Sequence, residues 1–276
     1  MTIREIDQLI EEGQSLKTIA QAYSEIANIK IKRIRGEVLR NRLFFTEVSK
    51  VYGLVRALAR SKKITVPKPK KRVCMILTSN YRFYGQIHTN LINFFTSFVK
   101  ELETDVILLG KAAIEHFNLK PTFKNPKEII LKSDQPTPKD LLQLVDIIKD
   151  YNQVLIFHSR LKSLLVQEPV FTDITASSES ILEEESKMRF IFEPELAKIL
   201  NFFDSQILIV LLEATFLESE VSRTASRFIS MDQAETQANK FIKEYEVLKA
   251  YTQRNIRNNQ LLEGIASILA VKKENI

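Results

Sequence analysis

Residues 75 to 90, MILTSNYRFYGQIHTN, run from an apolar segment through a polar and aromatic loop into an apparent helix start. Such a junction is where α/β proteins often hold phosphates, because the first amides of a helix point at an anion. A phosphate cradle also needs closely spaced glycines, which let the backbone approach the anion and adopt positive φ. Here the glycines are Gly13, Gly36, Gly53, Gly85, Gly110 and Gly264, no two of them within ten residues. With Gly85 alone in the loop, neither a dinucleotide fingerprint nor a P-loop can be written, and no nucleotide site is expected.

Other chemistry fares no better. His88, His116 and His158 have no second ligand at metal spacing, and Cys74, the single cysteine, lies in a β-prone apolar run. A zinc site would therefore need carboxylates from distant segments. No G-x-S-x-G elbow is present, and the acidic run Glu183, Glu184 and Glu185 falls in a polar segment. We expect no catalytic residue, no metal and no cofactor. The segment IKIKRIRGEVLRNR (29 to 42) is strongly basic, but apolar residues interleave its charges at helical spacing and no aromatic stacking platform accompanies it. Nucleic-acid binding is not expected either. Residues 1 to 72 carry 17 Lys and Arg against 7 Asp and Glu, whereas 211 to 276 carry 9 of each. A basic N-terminal third suits an acidic protein partner, an anionic membrane surface or nucleic acid.

The elements follow from proline and periodicity. All eight prolines fall between Pro67 and Pro194, leaving 66 proline-free residues at the start and 82 at the end. Helix interiors exclude proline, which lacks a donor and clashes with the preceding turn. Leu16, Ile19, Tyr23, Ile26 and Ile34 recur near three-four spacing. So do Leu217, Val221, Phe228, Met231, Ala238, Ile242 and Tyr245, with Thr224 and Glu235 as imperfect members. Two stripes at the two ends predict an antiparallel coiled coil, about 90 Å long at about 60 residues per helix. Between them KKITVPKPKKR (62 to 72) reads as a linker. RVCMILT (72 to 78), TDVILLG (104 to 110), KEIIL (127 to 131), QVLIFHS (153 to 159) and RFIFE (189 to 193) read as strands, and LVQEPVFTDI (165 to 174) as a further one. They alternate with helical stretches at 92 to 103 and 138 to 151, which predicts a mostly parallel sheet covered by helices. TASSESILEEESK (175 to 187) reads as a polar loop. The fold class is α/β, and the expected domains are a coiled-coil helix over 1–66, a Rossmann-like α/β domain over 70–203, and a second coil helix over 204–276 pairing with the first. No apolar run approaches the roughly 18 residues that span a bilayer, and the start is too acidic for a signal peptide. A soluble, cytoplasmic chain is expected.

Five segments, in order and spacing, resemble one family, the γ subunit of F-type ATP synthases. SNYRFYGQIHTN (79 to 90) is similar to S-D-[RK]-G-L-C-G-x-[LY]-N-x-N, retaining Ser79, Gly85, Thr89 and Asn90. HSRLKSLLVQEP (158 to 169) resembles Y-N-x-F-x-[NS]-x-x-x-Q-x-P with Ser163, Gln167 and Pro169, and FEP (192 to 194) resembles Y-E-P. SRFISMDQAETQA (226 to 238) is similar to S-R-M-x-A-M-x-x-A-[ST]-x-N-A, keeping Arg227, Met231, Ala234 and Ala238. LKTIAQAYSEIANIKIKR (16 to 33) resembles T-Q-K-I-T-K-A-M-x-M-V-A-x-x-K-[LM]-x-[KR], matching at Ile19, Ala22, Ala27, Lys30 and Arg33. The departures are Asn80 for Asp, Arg82 for Gly, Tyr84 for Cys, Gln21 for Lys and Arg223 for Glu. The family's Arg-Gln and Gln-Glu-Leu fall on Gln253 and Arg254 and on Asn259, Gln260 and Leu261.

The resemblance implies a rotor shaft: a coiled coil inside a ring of three catalytic and three noncatalytic subunits, biasing each catalytic site differently as it turns. It implies no nucleotide site on this chain. The implied partners are the α and β subunits of the hexamer, the ε subunit and the membrane c-ring, at the cytoplasmic face of a bacterial inner membrane. Expected partner contacts are Lys17, Gln21, Lys30, Lys32, Arg33, Arg227, Gln253, Arg254, Asn259 and Gln260, with LLEGIASILAVKK (261 to 273) as an apolar tip in the upper bearing. Ser79, Gly85, Thr89 and Asn90 would mark a structural loop. Two alternatives fit the same departures: a γ-derived coiled-coil adaptor, and a γ-like subunit of a related ATPase not devoted to ATP synthesis.

Overall fold

A computed structural model of the chain describes residues 1–61, 71–174 and 196–274. The 62–70 linker, the polar 175–187 segment, the RFIFE strand and the FEP match lie outside the described residues. The chain divides into two compact units, one of Met1–Ile26 with Phe228–Ile276, the other of Ala27–Arg227. Two long helices, α1 (Ile3–Ser61) and α5 (Leu196–Glu274), each contribute to both.

The larger unit is built on a five-stranded sheet of order β3-β2-β1-β4-β5. Its strands are β1 (Arg72–Leu77), β2 (Asp105–Leu109), β3 (Lys127–Ile129), β4 (Gln153–Leu161) and β5 (Gln167–Asp173). β1 pairs in parallel with β2 and β4, Val73 lying opposite both Asp105 and Val154, and only β5 runs antiparallel, against β4. Every residue of β1 after Arg72 is buried, which is why the strand reads as an unbroken apolar run. The helices α2 (Ile87–Val99), α3 (Lys111–Leu119) and α4 (Pro138–Ile148) connect the parallel strands. Alternate residues of β1 feed two cores. Cys74 and Ile76 pack with Leu91 and Phe95 of α2 and Phe117 of α3. Val73, Met75 and Leu77 pack with Leu144 and Ile148 of α4 and with Leu208, Leu212 and Phe216 of α5. The opening turns of α5 are thus a covering layer of the sheet.

Some local signals were plain and others hidden. Thr137 and Asp140 form a reciprocal capping box, with Pro138 at the first helical position, so α4 starts where a helix is cheapest to start. α3 carries no strong sequence signal; its place is set by Gly110, whose φ is 96° and where an added Cβ would lie 2.5 Å from the Thr78 carbonyl oxygen. α2 begins at Ile87, ahead of the expected 92, and ends at Val99 before the charged Lys-Glu-Leu-Glu tail. Burial pushes the Cys74 thiol up, as befits a core residue.

In the smaller unit α1 and α5 run antiparallel: Asp7 pairs with Lys249 at 2.6 Å, Gly13 faces Phe241 and Ile242, and Gln21 donates to Glu235 at 2.7 Å. The α1 seam differs from the one expected. Leu16, Ile19 and Ile26 are 63, 54 and 55% exposed, whereas Ile6, Gly13 and Ala20 are buried at seven-residue spacing; in the part of α1 that belongs to the larger unit, Ala27, Ile31 and Ile34 are buried. Only Ile34 of the expected stripe is among them. At Gly13 large neighbours from α5 take the space of a side chain; a Cβ there would come 2.9 Å from Ile242 Cγ1 and 3.1 Å from Phe241 Cδ1. The α5 stripe matches expectation, with Val221, Thr224 and Ala238 buried and Met231, Ile242 and Tyr245 half-buried.

Candidate functional site

The loop between β1 and α2 is held by one buried carboxylate. Asp134, in the segment joining β3 to α4, accepts hydrogen bonds from the Ser79 hydroxyl, from the Asn80 backbone N–H at 3.0 Å and from the Tyr84 hydroxyl at 3.1 Å. Its Oδ2 lies 4.0 Å from Nε of Arg223 on α5. Burial alone would raise the Asp134 carboxyl, but the Arg223 guanidinium, the Ser79 hydroxyl and the Asn80 amide outweigh it and hold the carboxyl below its ordinary range. Tyr84, itself buried, is pushed up by desolvation and by the Asp134 charge, so its proton stays on the phenol and is donated.

The loop backbone completes the arrangement. Gly85 takes φ 57°, and Phe83 takes 68° although it bears a bulky side chain. Asn80 bridges two segments: its side-chain N–H donates to Leu131 O at 2.7 Å and its oxygen accepts the Lys111 N–H at 3.1 Å. From α5, Ser226 Oγ donates to Tyr84 O at 2.7 Å and Arg227 Nη2 to Arg82 O at 3.1 Å, the Arg227 guanidinium lying 4.1 Å from the Tyr84 ring centroid. Two loop amides are likewise held within the chain, the Asn80 N–H by Asp134 and the Tyr81 N–H by Ser79 Oγ at 3.0 Å. This is the chemistry of a fastening, with the loop as the fastened part.

The expected site residues divide accordingly. Ser79 and Gly85 are within the network, while Thr89 and Asn90 are exposed on the first turn of α2. Arg227 is turned onto the loop. Lys30 pairs with the buried Glu220 of α5 at 2.6 Å, and Arg33 with Glu37 on its own helix at 3.2 Å. Gln21 bonds Glu235, and Lys17 is half-buried beside the seam. Lys32, Gln253, Arg254, Asn259 and Gln260 are exposed. Asp134 was not singled out in the sequence. It sits in SDQPTP, where any turn aspartate looks alike; no neighbour in the sequence tied it to Arg223, which lies in the polar stretch ESEVSRTASR (218 to 227) with glutamates of its own nearby. Among the described residues no cluster of His, Cys, Asp or Glu could hold a metal, and no helix is long and apolar enough to cross a membrane.

A family model described as ATP synthase matches residues 2–266. The chain is similar to the ATP synthase gamma chain of Dehalococcoides mccartyi strain CBDB1, 23% identical over 282 residues covering 98% of this chain and 99% of that one. It is similar to the gamma chain of Bacteroides fragilis at 24% over 289 residues, with the same coverage of both. Its fold resembles a chain of the Euglena gracilis mitochondrial ATP synthase rotor in rotational state 1, with a TM-score of 0.62 and 13% identity over 92% of this chain and 98% of that one. It also resembles a chain of the Tetrahymena thermophila mitochondrial ATP synthase central stalk and c-ring, with a TM-score of 0.59 and 16% identity over 78% and 99%.

Proposed function

The chain belongs to the gamma-chain family of F-type ATP synthases, and from that premise we propose that it is the central-stalk shaft that couples rotation of a membrane ring to ATP synthesis or hydrolysis in an α/β hexamer. The observation that carries this reading is α5, a single helix from Leu196 to Glu274. Its early residues Leu208, Leu212 and Phe216 are built into the sheet's core, and its later residues, from Gln253 to Ser267, are exposed on every face. A load applied at the sheet is therefore passed to a covalently continuous helix with a hydrogen-bonded backbone and no proline within it.

The reading assigns no catalytic site to this chain; chemistry belongs to the hexamer. The basic face of α1 around Lys32 and Arg33 would meet acidic loops of the β subunits, and Gln253, Arg254, Asn259 and Gln260 would face the hexamer's inner surface. The ε subunit and the c-ring would attach to the α/β unit, with the complex at the cytoplasmic face of a bacterial inner membrane. An off-axis coil presents a different face to each catalytic site, so turning it exchanges their nucleotide affinities.

The test is reconstitution of the full chain with an α/β hexamer, measuring co-elution and ATPase activity. A shaft restores turnover to the hexamer. A chain that co-elutes without raising turnover would instead be an adaptor, and one that elutes alone overturns the proposal.

A further inference from the structure

Two charged positions of the family pattern are altered here, and the structure links them through a third residue. The family's loop aspartate is Asn80 and its helical glutamate is Arg223. Asn80 uses its amide as both donor and acceptor, to Leu131 O and from the Lys111 N–H, and an ionised carboxylate has no proton for the first of these. Arg223 is 2% exposed, donates from Nη1 to Ser219 Oγ at 2.9 Å, and faces Asp134, itself buried. A glutamate at 223 would set a second carboxylate against Asp134 away from water, an arrangement in which both cannot stay ionised.

We propose that Asp134 and Arg223 form a charge-inverted latch, positioning residues that fix the rotational setting of α5 against the 79–85 loop so that helix and sheet turn together. The proposal rests on the shaft reading given above. The apolar contacts of Leu208, Leu212 and Phe216 hold α5 against the sheet, but apolar attraction is non-directional and resists slip about the helix axis weakly. Directional bonds resist it well. They come from Ser226 and Arg227, which donate to the loop carbonyls of Tyr84 and Arg82, while Arg223, on the same helix face three and four residues earlier, meets the loop's carboxylate anchor as an ion pair at 4.0 Å. Asp134, Arg223, Ser226 and Tyr84 are buried, so they cannot trade these contacts for water without cost.

The test has two arms. In the isolated full chain, Arg223→Glu and Asp134→Asn are compared with the pair together by hydrogen exchange. The latch requires amides of the loop to exchange about tenfold faster in Arg223→Glu. It also requires much of that protection to return in the double variant, where only one carboxylate remains. In the complex reassembled with hexamer and membrane ring, Arg223→Glu is expected to keep ATP hydrolysis while ion pumping per ATP falls severalfold, with Arg223→Lys retaining coupling. Unchanged exchange in Arg223→Glu, or a loss that Asp134→Asn leaves uncorrected, overturns the latch. If Arg223→Glu does not fold, Arg223→Gln is used in the same cycle, and equal protection there overturns it too. Failure of the unaltered chain to activate the hexamer counts against the shaft reading, while the exchange cycle still decides the latch.

Discussion

Helix α5 is gripped in two ways along its length, and the contrast shows what each grip is suited to. In the unit formed by the termini it packs against a seam of Gly13 and Ala20, with Phe241 and Ile242 filling the space those small residues leave. Polar contacts there, Asp7–Lys249 and Gln21–Glu235, lie at the surface, where such pairs contribute about 0–1 kcal/mol. In the α/β unit it packs through Leu208, Leu212 and Phe216 and is then held by polar contacts, buried at Arg223 and Ser226 and nearer the surface at Arg227. A small-residue seam brings two helices close; the polar contacts orient α5 against the 79–85 loop. The first is governed by shape and the second by charge and donor geometry.

The largest way to probe that difference lies in the backbone of the α/β unit. Gly110→Ala places a Cβ 2.5 Å from a main-chain oxygen that cannot swing aside, at a φ of 96° that alanine disfavours. A loss on the order of 4 kcal/mol or more is expected, read as collapse of the urea transition of this unit. Acid comes next. His158 is fully buried and His88 largely so, burial being the main reason both are pushed down to about 4. Their folded values lie below the unfolded value of about 6.5, so the unfolded chain takes up protons first. Stability is complete above about pH 6.5 and is lost as pH falls towards 4, at up to about 1.4 kcal/mol per pH unit for each histidine. All three histidines lie in the α/β unit, so acid should loosen it through this route while leaving the terminal coil untouched, as hydrogen exchange at pH 7 and pH 5 would report. A coil that loosened in step would erase the distinction.

Gly13→Leu tests the other grip. The nearest atoms are side chains, Ile242 and Phe241, which can give way in part, so the expected cost is about 1–3 kcal/mol, confined to the coil. Circular dichroism melting of the full chain should lose its earliest transition and keep the rest. The same glycine explains what could be read in advance. Strands β1, β2 and β4 were legible because a sheet buried on both faces writes itself as apolar runs. The α5 stripe was legible because large residues, Met231, Ile242 and Tyr245, recur among its smaller buried members. The α1 seam was not, since Gly13, Ala20 and Ala27 carry little hydrophobicity and the eye goes to Leu16, Ile19 and Ile26 beside them. Helix α3 hid because it is only nine residues long, with three buried residues, Ala113, Ile114 and Phe117, to mark its face. The loop could be recognised by its motif, but not its anchor, because Asp134 meets Ser79 and Tyr84 only after the sheet has formed.

The smallest effect on stability should come from those exposed apolar residues, and it is the most informative about function. Leu16, Ile19, Tyr23 and Ile26 follow three-four spacing on α1 yet lie outside the seam that Gly13 and Ala20 define. Leu16, Ile19 and Ile26 are more than half exposed, so replacing these three with serine should change the unfolding free energy by no more than about 0.5 kcal/mol per site. A contiguous apolar stripe on a helix costs solubility unless a partner covers it. If the hexamer covers it, the triple variant will melt like the parent and bind the hexamer at least tenfold more weakly. A triple variant that melts early instead would show that the stripe contributes to folding, and the division of α1 into a small inner seam and a large outer face would have to be redrawn.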